Sequence, residues 1–91
     1  MAVEDIKGYK PHTDEKIGKV NAIKDAEVRL GLIFSALEEE ALANYQLSAN
    51  ESDQVLDEAY ERIDQIRMAK QKLKEASMWA CRAVFRPEEK Y

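Results

Sequence analysis

The sequence predicts an all-α fold: two long antiparallel helices forming a hairpin after a short N-terminal segment, assembled as a homo-oligomer. Three observations carry that prediction. The only prolines of the 91-residue chain, Pro11 and Pro87, bracket one long proline-free stretch. Within it, apolar residues recur at spacings of three and four, the mark of one helix face. A polar cluster of Ser48, Asn50, Ser52 and Asp53 interrupts that periodicity near the middle and offers capping groups. A chain this short makes one domain, residues 1–91, with no second unit.

Residues 1–12 read as an N-terminal loop or short helix. Gly8 and Pro11 flank Tyr9, so the stretch from Ile6 to His12 reads as loop. Thr13 followed by Asp14 and Glu15 is an N-cap with acidic residues in the first turn, where the helix dipole favours them. The first helix, 14–47, carries Ile17, Val20, Ile23, Leu30, Ile33, Phe34, Leu37 and Ala41 on its apolar face. The second, 53–85, carries Leu56, Ala59, Tyr60, Ile63, Ile66, Leu73, Ala76, Ala80 and Val84. It stops before Pro87, which disfavours a helical residue ahead of it, and the tail from Arg86 to Tyr91 is expected to fray. Each helix is about 50 Å long. Matched lengths and a short connection fold them back on each other. A turn near Asn50 sets Gly31 opposite the neighbourhood of Ala69, where small residues would let the backbones approach; Gly18 marks a weaker first turn.

Two helices cannot bury a sizeable core alone. Met78-Trp79-Ala80-Cys81 and Ala83-Val84-Phe85 are apolar nearly all round the helix, and Leu32-Ile33-Phe34 repeat the pattern in the first helix. One partner helix covers only one side of such a segment. Residues 1–12 are too few to cover the rest, which favours an oligomer whose C-terminal halves meet.

Composition narrows function by exclusion. Fourteen basic against 18 acidic residues leave a net charge of −4, against the basic footprint of a DNA or RNA polymer binder. The single cysteine, Cys81, excludes an intramolecular disulfide, and the one histidine removes His-paired metal sites and most Ser-His or Cys-His catalysis. No apolar run approaches a membrane span, and the first residues lack a signal-peptide order. A protein that is not an enzyme is expected, with no cofactor and no metal. Glu38-Glu39-Glu40 point in different directions and read as a solvated face. Asp53, Asp57, Glu58, Glu61 and Asp64 with Arg62 and Arg67 read as surface ion pairs.

The lysines are better organised. Lys7, Lys10, Lys16, Lys19 and Lys24 crowd the entry to the first helix, and Arg67, Lys70, Lys72 and Lys74 lie on the returning stretch of the second. Such a basic end either holds a small anion or complements the dipoles and aids solubility; charge alone weighs the two evenly. Tyr9 beside lysines is either a platform for a base or a cover against Trp79 or Phe85.

At these residues the sequence resembles a known family. Gly8-Tyr9-Lys10, then Val20-Asn21-Ala22-Ile23-Lys24 with Glu27, then the run from Met78 to Pro87 with its Arg-Ala-Val-Phe-x-Pro ending, look like the phage anti-CBASS cyclic-oligonucleotide sponges. Their hairpin domain is shared with sponges that counter Thoeris immunity. The similarity covers roughly residues 6–87. It implies a phage immune-evasion protein, a homohexamer in the host bacterial cytoplasm that traps cyclic di- or trinucleotide messengers without cleaving them. It also implies that Tyr9 stacks on a base of a cyclic dinucleotide and Lys24 contacts its phosphate, in pockets between protomers; Lys10 and Ile23 are wall residues by adjacency. A second family site, for cyclic trinucleotides, uses an Arg-Thr pair where this sequence has Lys70-Gln71. Lysine lacks the guanidinium fork and glutamine is bulkier than threonine. That site is therefore altered, supported by Arg67 or Lys74, or absent. The connection around 41–53 is longer than usual for the family. A different class remains as the alternative: a structural or adaptor hairpin that binds another protein through its apolar C-terminal half.

Overall fold

A computed structural model describes residues 13–86, and within them the chain is two helices and a short connection, α1 (Asp14–Leu47) and α2 (Asp53–Phe85). The expected N-terminal segment 1–12 and the tail 87–91 lie outside the described residues. Both helices start on a hydroxyl cap. Thr13 Oγ1 accepts from the Lys16 amide and Ser52 Oγ from the Val55 amide, each at 3.3 Å, satisfying one of the amides that a first turn leaves without a partner. α1 ends at Ser48, whose hydroxyl donates to the Asn44 carbonyl at 2.8 Å. α2 ends on Arg86, expected to belong to the frayed tail. It is instead the C-cap, left-handed at φ 49° and ψ 60°, with its amide donating to the Arg82 carbonyl at 2.7 Å. Pro87 disfavours a right-handed helical conformation at this position, and the left-handed turn closes the helix there.

The helices pack antiparallel along their length. Val20 and Ala41 of α1 and Ala59, Ile63 and Ser77 of α2 are buried, Ile63 being only 2% exposed. Near the turn the Tyr45 and Tyr60 rings meet edge to face with centroids 5.9 Å apart, a favoured aromatic geometry. The register differs from the one expected. A Cβ built at Gly31 would lie 3.8 Å from Leu73 Cδ2, so Gly31 faces a residue one turn beyond Ala69. The pairing of Tyr45 with Tyr60 places the hairpin's centre of symmetry past Asn50, in agreement with that shift. At 3.8 Å the approach leaves room for a methyl group, and Gly18 has nothing within 4 Å. Neither glycine is required by close packing within the hairpin.

Much of the apolar surface stays uncovered by the partner helix. Trp79 is 62% exposed and Leu32 66%, and Val28, Ile33, Met68 and Met78 are exposed as well. Ile17, Leu30, Ile33 and Leu37, assigned to the inner face by spacing, are at least two-fifths exposed. One facing helix is too narrow to cover a stripe of that width. No helix among the described residues is long and apolar enough to cross a membrane.

Candidate functional site

The residues singled out by sequence fall into two groups. Lys24 is exposed on α1 and makes no hydrogen bond or ion pair with another described residue, so its ammonium group is available. Its neighbour Ile23 is half-buried and lines an apolar groove of about 290 Å³ between the helices, with Leu30, Leu73 and Ala80. Successive helical residues diverge by about 100°, so Ile23 faces the seam while Lys24 looks outward. Tyr9 and Lys10 lie outside the described residues.

The second group is a stripe on α2. Arg67, Lys70, Gln71 and Lys74 recur at three- and four-residue spacings and share one side of the helix. Arg67 Nε donates to Glu38 Oε2 and Lys70 Nζ to Glu38 Oε1, each at 2.9 Å. One carboxylate on α1 therefore holds two cations on α2, each of its oxygens serving one of them. Lys70 and Lys74 also line a groove of about 310 Å³ with Glu27, Gly31 and Ser35. Gln71 belongs to neither arrangement; its amide donates to Glu75 at 3.3 Å along its own helix. The structure thus ties Arg67 and Lys70 to Glu38 and sets Lys74 beside Lys70, while the Gln71 amide, on the same side of α2, is engaged by Glu75 instead.

Glu38 corrects the reading of residues 38–40 as a solvated face. Its side chain is only 19% exposed because the helix crossing turns it into the seam, while Glu39 and Glu40 remain outside. Arg67 is likewise no ordinary surface pair within α2. The hydrogen bond from Arg67 and then that from Lys70 hold the Glu38 carboxyl below the usual carboxylate range, and the same bond to Glu38 raises the Arg67 guanidinium. A register signal existed in the sequence. Positions 38 and 67 pair under the same register as Tyr45 and Tyr60, but a register centred on Asn50 hides the match.

The described basic residues also form separate groups along the hairpin, while Lys7 and Lys10 of the expected basic end lie outside the described residues. Lys16 and Lys19 share a groove of about 420 Å³ with Ala83, Val84 and Arg86 at the open end of the hairpin, and Lys19 is paired to Glu15 at 3.0 Å. Lys24 stands about 20 Å along α1 from Glu38 and its two cations. Among the described residues no group of three or more His, Cys, Asp or Glu is placed to hold a metal ion.

The family described as Acb2/Tad1, hairpin domain, matches residues 1–85. The chain is also 67% identical, over 90 residues, to anti-CBASS protein 2 of Enterobacteria phage T4, covering 98% of this chain and 99% of that protein.

Proposed function

The chain belongs to the Acb2/Tad1 hairpin family, and on that premise we propose that it is a phage anti-CBASS protein acting in the host bacterial cytoplasm. It binds cyclic oligonucleotide messengers and sequesters them without cleaving them. The near-full-length likeness to a protein named for opposing CBASS is the observation that carries this reading. The hairpin is compatible with it. A sponge needs cations and a stacking surface but no reacting group, and Lys24 presents an ammonium with no partner among the described residues.

In this reading Tyr9 stacks on a base and Lys24 neutralises a phosphate, with Lys10 and Ile23 beside them. The pocket lies between protomers of a homohexamer. The exposed side chains of Leu32, Ile33, Met78 and Trp79 support assembly, because a lone hairpin leaves them in water. Arg67, Lys70 and Lys74 form the second site, for a cyclic trinucleotide. Arg67 supplies the guanidinium that Lys70 lacks, and the Gln71 amide is engaged by Glu75.

Calorimetry with a panel of cyclic di- and trinucleotides, run beside a solution mass measurement, tests the first site. Tyr9→Ala and Lys24→Ala should each weaken cyclic dinucleotide binding by about tenfold or more, the scale of one lost base stack or charge-assisted contact, with the mass unchanged. Full affinity in both variants would show that the assigned site is wrong. Full affinity together with capture of a defined protein partner through Trp79 would favour the adaptor reading.

A further inference from the structure

We infer that Glu38 is a positioning residue for anion binding by Arg67 and Lys70, bracing the two cations so that their remaining donors face a ligand. This deepens the second-site reading and rests on it. Glu38 engages Arg67 through Nε alone. The two terminal nitrogens of that guanidinium have no hydrogen-bond partner among the described residues, and the Arg67 side chain is 53% exposed. Those terminal nitrogens form the end-on fork that binds a phosphate through two parallel hydrogen bonds. A carboxylate that took the fork itself would compete with a ligand; one that takes Nε fixes the plane of the group and leaves the fork open.

Lys70 is treated in the same way. One of its three N–H donors goes to Glu38 Oε1, and Lys70 also lines the groove that it shares with Lys74 and Ser35. Arginine and lysine carry large side-chain entropies, and holding both before a ligand arrives removes part of the cost of ordering them on binding. The brace comes from the opposite helix, so the positions of the cations are tied to the hairpin's own packing. Glu38 touches no ligand in this scheme. It acts through Arg67 and Lys70, which is why its charge and its bracing can be separated by substitution.

The full chain is titrated with cyclic tri-AMP as the probe and a cyclic dinucleotide as the control, in the wild type, Arg67→Ala, Glu38→Gln and Glu38→Ala. Glutamine keeps one acceptor, enough for Arg67 Nε but not for Lys70 as well, and removes a negative charge from beside the ligand, so Glu38→Gln should bind the probe more tightly than Glu38→Ala. Alanine keeps helix propensity but removes the brace, so Glu38→Ala should bind about fivefold more weakly. Cyclic dinucleotide affinity and solution mass should stay constant across the series, a pattern that general destabilisation would not give. Glu38→Ala binding as tightly as Glu38→Gln would overturn the inference and make Glu38 a simple competitor. Absence of probe binding in the wild type, or an unchanged affinity in Arg67→Ala, would remove the second-site reading and the role of Glu38 with it, leaving the Tyr9 and Lys24 assignment standing.

Discussion

The two halves of the hairpin are built from similar residues and differ in how much they bury. Toward the turn, Ala41, Ala59 and Ile63 are buried, Tyr45 packs edge-on against Tyr60, and Glu38 joins the helices through Arg67 and Lys70. Toward the open end, among the described residues, only Val20 and Ser77 are buried, while Val28, Met78 and Trp79 are exposed. The turn half closes on itself with small residues and one large apolar plug, yet leaves Leu32, Leu47 and Met68 exposed. Both halves carry more apolar surface than a single facing helix can cover. The buried core is thus concentrated toward the turn, while surface for assembly runs along the whole hairpin.

The sharpest way to break this contrast is to remove one large side chain from each half. Ile63→Ala deletes the most buried side chain and should cost about 3 kcal/mol of unfolding free energy, read by denaturant titration. Trp79→Glu, in the open half, should leave helix content near that of the wild type and instead lower the solution mass measured by light scattering. Equal effects of both substitutions on mass would erase the distinction between the halves.

A smaller effect is expected at Gly18. Nothing lies within 4 Å of a Cβ placed there, so Gly18→Ala should stabilise α1 by up to about 1 kcal/mol in thermal melts. Loss of stability would mean that a partner protomer packs against this position.

The mildest test concerns acid. Glu38 titrates below its ordinary value in the folded chain because Arg67 and Lys70 donate to its carboxylate. Its contribution to stability is therefore complete above the ordinary glutamate pKa and is lost as pH falls through the lower, folded value. Melting temperatures of the wild type and Glu38→Gln should converge as pH drops below that range. The difference should be modest because the Arg67 partner is half exposed and solvent screens the pair. A constant gap between them at all pH values would show that Glu38 does not titrate against these cations.

The sequence was informative where the physics is local. Thr13 and Ser52 could be read as caps because each places a hydroxyl ahead of an apolar-periodic run, and the polar interruption at Ser48–Asp53 marked the turn. The expected excess of apolar surface appears in the exposure of Trp79 and Leu32. The family was legible from short motifs in their order, and its match extends over residues 1–85. Register was less legible, because it depends on how two side-chain surfaces mesh and not on the position of the turn alone. That error concealed Glu38. A glutamate inside a run of three looks solvated until the opposing residues are known to be Arg67 and Lys70. Gln71 failed in the converse way: paired with Lys70 by adjacency, it is engaged by Glu75 on its own helix, a partner that the site motif does not include.

The most direct test of the account is recovery of the ligand. The purified protein is incubated with a cyclic dinucleotide, the free nucleotide is shown to be depleted, and the protein is then digested and the released nucleotide analysed by mass spectrometry. Sequestration predicts that the depleted nucleotide returns intact and in full. Recovery as a linear or cleaved product would contradict it and make the protein an enzyme.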